Sequence, residues 1–335
     1  MYRTVPFIRL GDKLGEILTE NDSAFRSVVK RATTENGWFT AENIRSALDT
    51  VRCRMLDASR LETWLSKYPT GPVTVPRNIG VIMAGNIPLV GFFDLLCVLV
   101  SGHRCLVKPS SKDRMLTEYV TELLREAWPE LPVFPLEDDS PLDAVIATGS
   151  DNANRYFVSR YGKIPHLLRR NRTSVAVLSG AETAEELDAL ARDVFSYFGM
   201  GCRNVSRVFV PEGYDVERLF GALCGAKVSH PGYRNAYRHH RALLRMRGTE
   251  FQDGGFFTLR ESTGFSEALP DIVYTRYRER DEVEAWLRFN DEGIQCVVSS
   301  RVSHPRGVLF GRTQQPELWD YPDGVDTMAF LLGME

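Results

Sequence analysis

The sequence predicts an α/β fold, a doubly wound parallel sheet followed by a second α/β domain. Short apolar runs alternate with longer amphipathic segments from Asn78 onward, the pattern of parallel βαβ units. Several runs end in small or polar residues that lead into a helix, as at Ala84-Gly85-Asn86 and Ala147-Thr148-Gly149-Ser150. A Gly-rich segment, Phe198-Gly-Met-Gly-Cys-Arg-Asn204, then separates this series from a further strand-helix series.

Residues 1–75 read as a helical segment. Between Ala41 and Lys67, Ile44, Leu48, Val51, Met55, Leu61, Trp64 and Leu65 recur near helical spacing. Tyr68 to Pro76, with three prolines and a glycine, breaks that pattern. Residues 76–199 form the first α/β domain. Strands are expected at Ile79–Ala84, Arg104–Lys108, Leu142–Ala147 and Val175–Leu178. Helices are expected at Pro88–Ser101, Asp113–Trp128, Ser150–Tyr161 and from Thr183 to Phe198. Thr183 and Glu186 form a capping box, and Ser110 with Asp113 resembles another helix start. Residues 200–310 form the second domain, with strands at Val205–Val210, Ile272–Tyr277 and Gln295–Ser300 and helices at Asp215–Ala226 and Asp281–Phe289. Residues 311–335 read as a Gly/Pro-punctuated tail that packs back on the core.

Composition narrows the function. A net charge of -3 argues against a general nucleic-acid binder, which carries a basic excess. The most apolar stretch, Ile79 to Val100, is interrupted by Gly85, Asn86, Pro88, Gly91 and Asp94, so no membrane span is expected. The N-terminus lacks a signal pattern, and the six cysteines are scattered without a C-x-x-C pair. Both features predict free thiols and a cytoplasmic location. Gly80 to Gly85 is not followed by the Lys-Ser/Thr of a phosphate loop, and no His-Glu-x-x-His or G-x-S-x-G occurs. His239 and His240 are adjacent and point to different helix faces, so no metal site is expected.

Four segments carry candidate chemistry, each with a plainer reading beside it. Asn86, at a strand-to-helix turn, can aim its amide at a developing oxyanion, or simply cap the helix. Lys108, in Leu106-Val-Lys-Pro-Ser110-Ser111, places a cation at the carboxyl edge of the sheet, or is a solvated strand end. Thr148-Gly149-Ser150 leaves room for a pyrophosphate at a helix N-terminus, or is an ordinary serine cap. Cys202 sits between glycines in a loop, where Arg203 or a local dipole can favour a nucleophilic thiolate. The other cysteines lie in apolar elements and read as packed small hydrophobes.

Taken in order, the segments AGNIPLVGFFDLL, SGHRCLVKPSSKD, ATGS, GCRNVSRVFVP and ELWDYPDGVDTMAFLL resemble the LuxC family of acyl-CoA reductases, within the aldehyde dehydrogenase superfamily. The resemblance spans about residues 75 to 335. It implies an aldehyde-dehydrogenase-like fold with a dinucleotide-binding domain over 76–199 and a catalytic cysteine domain over 200–310. It makes Cys202 the nucleophile and Asn86 the oxyanion-hole asparagine. It gives the cofactor to Lys108, Ser110, Ser111, Thr148, Gly149 and Ser150, with Glu261 on the nicotinamide ribose.

The implied reaction is NAD(P)H-dependent reduction of an acyl thioester to an aldehyde through an acyl-cysteine. Acyl-CoA or an acyl carrier protein is the donor. Two departures sharpen this. Aldehyde-oxidising members carry a glutamate before the strand matching Val175–Leu178, whereas His166 to Ser174 contains no carboxylate. Relatives that use NAD often carry a glutamate three residues after the lysine. Here Ser111-Lys112 stands instead, which favours NADPH over NADH. The basic run Arg234 to Arg247 reads as a contact for coenzyme A phosphates or an acidic carrier protein, or as a solvated helix face. The rival readings are a hydrolytic aldehyde dehydrogenase and a non-catalytic binding subunit. A homo-oligomer or a place in a multienzyme complex is left open.

Overall fold

In a computed structural model, residues 4–68 and 71–334 are described, and Pro69 and Thr70 of the expected linker lie outside them. The chain divides into two compact units, Met1–Asn171 with Pro316–Glu335, and Arg172–Gln315.

The first unit opens with α1 (Val5–Glu20), α2 (Ser23–Glu35), α3 (Ala41–Thr50) and α4 (Ala58–Leu65), the last two joined through a π turn at Val51–Met55. Asp22, Thr40 and Asp57 each accept an N–H of the first turn of the helix that follows, which fixes the starts of α2, α3 and α4. Of the expected apolar stripe, Ile44, Leu48, Val51, Leu61, Trp64 and Leu65 are buried and Met55 is half-buried, and Phe7, Leu10 and Leu14 of α1 are buried as well.

The sheet follows: β1 (Asn78–Ile82), α5 (Phe92–Ser101), β2 (Arg104–Lys108), α6 (Arg114–Ala127), β3 (Val133–Pro135), β4 (Ala144–Thr148), α7 (Asp151–Tyr161) and β5 (His166–Arg169). Its order is β3-β2-β1-β4-β5, with every pairing parallel. Strand order reverses at β1, so the carboxyl ends of β1 and β4 border the switch point where such sheets bind ligands. Every residue of α5 is buried, including Asp94 and Ser101 among its apolar side chains. The helix begins at Phe92 rather than Pro88. Pro88 to Val90 form a turn with Leu89 at a φ of 57°. A Cβ on Gly91 would lie 2.4 Å from the Met83 side chain, so glycine lets this turn close on the strand.

The second unit contains β6 (Thr173–Val177), α8 (Ala184–Phe195), β7 (Val205–Pro211), α9 (Val216–Cys224), α10 (Pro231–Met246), β8 (Gln252–Asp253), β9 (Thr258–Glu261), β10 (Asp271–Tyr277), α11 (Arg280–Phe289), β11 (Ile294–Val298) and β12 (Gly307–Val308). The order is β12-β11-β6-β7-β10-β9-β8, parallel except for the β8–β9 pair. The Thr183–Glu186 capping box opens α8. The strand near Val175 and this helix were assigned to the first sheet, but β6 pairs with β7 and β11. The chain therefore changes unit at Arg172 and not near residue 200. Strand and helix go on alternating through this point, so periodicity carries no mark of it.

Residues from Pro316 rejoin the first unit, and the tail is more ordered than its composition suggests. Glu317 pairs with Arg54 at 2.8 Å and also with Arg60. Trp64 donates to the Tyr321 hydroxyl at 2.6 Å. The tail ends in α12 (Thr327–Leu332), where Thr327, Met328 and Leu331 are buried. Asp94 of α5 meets Arg169 of β5 within the core, with Nη1 2.6 and 2.5 Å from the two carboxylate oxygens. Nη2 of Arg169 donates to Thr327 at 3.0 Å.

Removing one member of this pair strands a buried charge. Arg169→Met alone should lower the unfolding free energy by about 3–5 kcal/mol, and Asp94→Leu with Arg169→Met should recover most of it. Urea denaturation of the single and double variants measures both.

Candidate active site

Three of the four expected segments meet in the first unit at one edge of its sheet. Asn86 follows β1, Lys108 ends β2, and Thr148 ends β4, on three adjacent parallel strands. The loops are closely packed. A Cβ on Gly85 would lie 2.5 Å from Ser110 Oγ, so the Asn86 turn rests directly on the Ser110–Lys112 turn. A Cβ on Gly149 would lie 2.8 Å from Ala153 and 2.9 Å from Phe157, so only glycine lets the backbone turn this tightly into α7. Ser150 accepts the Ala153 N–H at 3.4 Å, which is the plain capping role. Asn86 does not cap a helix, since the N-cap of α5 is Gly91. Asp113 also fails to cap α6. Its Oδ2 instead accepts the Leu89 N–H at 2.7 Å. Lys108 and Ser111 are exposed, and Asn86 and Ser110 are half-buried. A tight glycine turn at a helix N-terminus, beside an exposed lysine at the switch point, fits a dinucleotide pyrophosphate and ribose.

In the second unit the backbone before Cys202 is strained. Tyr197 and Phe198 have φ values of 51° and 59°, and Gly199 follows at 73°. The turn that follows is anchored by Asn204. Its Oδ1 accepts the Gly201 N–H at 2.8 Å. Its Nδ2 donates to the carbonyls of Asp193, Val194 and Ser196 at 3.0, 3.2 and 2.9 Å. Ser174 supports the turn from β6, donating to the Cys202 carbonyl at 3.1 Å while accepting the Cys296 N–H at 3.1 Å. Cys202 stands exposed at the tip.

Arg203 was a candidate activator of Cys202, but its guanidinium donates to the sulfur of Cys296 at 3.2 Å. The remaining cysteines are less uniform than expected. Cys97, Cys105 and Cys296 are buried, Cys53 is half-buried, and Cys224 is exposed at the end of α9. Burial pushes the thiols of Cys97 and Cys105 up, which keeps them protonated.

Glu261 lies away from Cys202. It ends β9, whereas Cys202 precedes β7, and both strands run parallel to β10 between them. The two residues therefore sit at opposite edges of the sheet. The acid at the cysteine's edge is Glu267, just before β10, a residue that sequence reasoning passed over. A Cβ on Gly199 would lie 3.6 Å from the Leu269 carbonyl, which puts this segment beside the cysteine turn. Glu267 pairs with Arg247 at 2.6 Å and Arg260 at 3.3 Å. Arg260 also grips the fully buried Asp271 at 2.9 and 2.7 Å, and His240 Nε2 lies 3.2 Å from the same carboxylate. These contacts, though burial opposes ionisation, hold Asp271 below the usual carboxylate range.

The basic run forms α10, which buries Tyr233, Tyr237, His240 and Leu244. Arg241 is neutralised by Asp253 at 2.6 Å, while Arg234 and Arg238 remain exposed. Among the described residues, no cluster of His, Cys, Asp or Glu could hold a metal, and no helix is long and apolar enough to cross a membrane.

The model of one family, acyl-CoA reductase (LuxC), matches residues 31–227. The chain belongs to the LuxC acyl-CoA reductase family. It is 24% identical over 170 residues to a long-chain acyl-protein thioester reductase of Aliivibrio fischeri. That match covers 44% of this chain and 35% of the relative's length. Among solved structures, it is similar to aldehyde dehydrogenase 21 from Physcomitrella patens, in complex with succinate. The TM-score is 0.68 at 14% identity, over 98% of this chain and 84% of that one. It is also similar to the NAD+ complex of a Bacillus cereus aldehyde dehydrogenase. There the TM-score is 0.62 at 16% identity, over 88% and 70% of the two chains. These likenesses show the aldehyde-dehydrogenase fold. The family is described by acyl-CoA reduction, and the chain spans about a third of the length of the curated relative it matches.

The cysteine turn of this LuxC-family chain depends on Asn204. Asn204→Ala should lower the unfolding free energy by about 1–3 kcal/mol, because a buried N–H and several carbonyls lose their partner. Urea titration would show it, and unchanged stability would mean that other bonds hold the turn.

Proposed function

We propose that this protein reduces an acyl thioester to an aldehyde, with Cys202 as the nucleophile. The Cys202 thiolate attacks the thioester carbon, the coenzyme A or carrier thiol leaves, and the acyl group stays on the sulfur. The oxyanion formed on the way is stabilised by the Asn86 amide and the Cys202 backbone N–H. Lys108, Ser110, Ser111 and the Thr148–Ser150 turn hold the dinucleotide, with NADPH preferred because Ser111-Lys112 offers no carboxylate to a ribose 2′-hydroxyl. When bound, the reduced nicotinamide supplies the hydride that converts the acyl group to the aldehyde. For the nicotinamide ribose we favour Glu267 over Glu261, since Glu267 shares the sheet edge with Cys202. The donor is an acyl-CoA or an acyl carrier protein, met by the exposed Arg234 and Arg238 of α10.

The observation that carries this reading is an exposed thiol in a strained, anchored turn, in a chain whose 166–174 run has no carboxylate to activate water. A second reading, hydrolytic oxidation of an aldehyde, draws on the aldehyde-dehydrogenase fold itself.

One assay separates the two. NAD(P)H consumption across a panel of acyl thioesters should exceed NAD(P)+-dependent oxidation of the matching aldehydes to acids, and the reverse ratio would establish the second reading. Cys202→Ala should abolish turnover and the acyl adduct seen by mass spectrometry. Asn86→Ala should lower kcat by about a hundred- to a thousandfold.

A further inference from the structure

The turn that carries Asn86 is held in a conformation it would not choose. Leu89 has a φ of 57°, a left-handed value that a bulky residue rarely adopts. Its N–H is directed inward to Asp113 Oδ2 at 2.7 Å, between two buried residues. Asp113 is 3% exposed, and its second oxygen has no hydrogen-bond partner. It lies in the segment that follows Lys108, so one carboxyl group joins the loop after β1 to the loop after β2. A structural helix start at this position needs only a side chain that caps α6, and Asp113 makes no such bond.

We propose that Asp113 is a positioning residue, whose carboxyl group fixes the Asn86–Leu89 turn in the form that presents the Asn86 amide to the oxyanion. The role of Asn86 rests on the function proposed above, and the grip of Asp113 on Leu89 does not. Burial pushes the Asp113 carboxyl up to about 8, and the Leu89 N–H pulls it only partly back. The charged groups nearest in sequence face away. Arg114 pairs with Glu118 at 2.6 Å in solvent, and Lys108 and Lys112 are exposed. Asn36 of the α2–α3 connection brings only an amide, which donates to the Lys112 carbonyl at 3.2 Å. The sign follows. The folded-state value lies above the unfolded one, so the neutral acid is the form that the folded turn accommodates. The stabilisation from the neutral acid is complete at low pH and is lost as pH rises through about 8. The loss is progressive from the ordinary carboxylate range up to about 8 and is complete above it.

The test is amide hydrogen exchange of the intact protein, read at Leu89 as a protection factor corrected for intrinsic rate, from pH 6 to 9.5. In the native protein, protection should fall as pH rises from 6 to about 8 and level off above that. Asp113→Asn keeps an acceptor oxygen without the titration, and its protection should stay level. Asp113→Ala should lose about tenfold or more at every pH, as expected for one buried hydrogen bond to a carboxyl group. In thioester reduction, Asp113→Ala should lower kcat and leave KM for the dinucleotide near the native value. Protection that is unchanged in Asp113→Ala, or a native profile parallel to that of Asp113→Asn, overturns the proposal. Lost protection with an unaltered kcat overturns it as well. Should Asp113→Ala fail to fold, the comparison of the native protein with Asp113→Asn decides alone. A native protein that makes no aldehyde at all contradicts the proposed function, whereas the exchange profiles are read without substrate.

Discussion

The first unit depends on a guanidinium–carboxylate pair in its interior. Arg169 ends the edge strand β5, Asp94 lies in the first turn of the all-buried helix α5, and Thr327 opens the C-terminal helix α12. A charge this deep is tolerated only when paired and hydrogen-bonded. The pair therefore fixes which elements must be neighbours. It draws the far end of the chain, after the second unit is complete, back onto the helix that leads out of the Asn86 turn. The aromatic hydroxyls and the arginines around Tyr321 and Glu317 complete the same closure. The unit that carries β1, β2 and β4 is thus braced by residues that follow the whole of the second unit in the chain.

The second unit solves a different problem. An exposed thiol must stand clear of the core, yet its backbone must not wander. The chain meets this with one asparagine. Asn204 saturates its amide against the frayed end of α8 and its carbonyl against Gly201, so every group it buries is partnered. Those bonds hold the left-handed residues Tyr197 and Phe198 in place, at a cost of about 1–3 kcal/mol each. Cys202 projects from the rigid turn that results.

Much of this was legible in the sequence because it is local. The cap at Ser150, the capping box at Thr183 and Glu186, the α/β alternation and the glycines around Cys202 follow from spacing alone. What escaped is non-local. The crossing between units at Arg172 depends on β6 choosing β7 and β11 as partners, and no periodicity records a choice of partner. The strands β3 and β5 are short and bounded by prolines, so their pairing comes from the sheet and not from propensity. Glu267 was missed for a geometric reason. Adjacent parallel strands need a return connection, and residues 262–270 run back from the carboxyl end of β9 to the amino end of β10. That return takes Glu267 to the cysteine's edge and leaves Glu261 behind.

The proposed chemistry turns on what the protein does with its carboxylates. An acyl-cysteine is lost to water when a base activates that water. Within the first unit, the buried acid that approaches the 166–174 run is Asp94, and Arg169 engages both of its oxygens. Asp113, the other buried acid near the Asn86 turn, is pushed up to about 8 by burial and is largely neutral near pH 7. One acid is engaged in an ion pair and the other is protonated. An acyl-enzyme that waits for hydride, as proposed above, requires that no carboxylate activate a water against it.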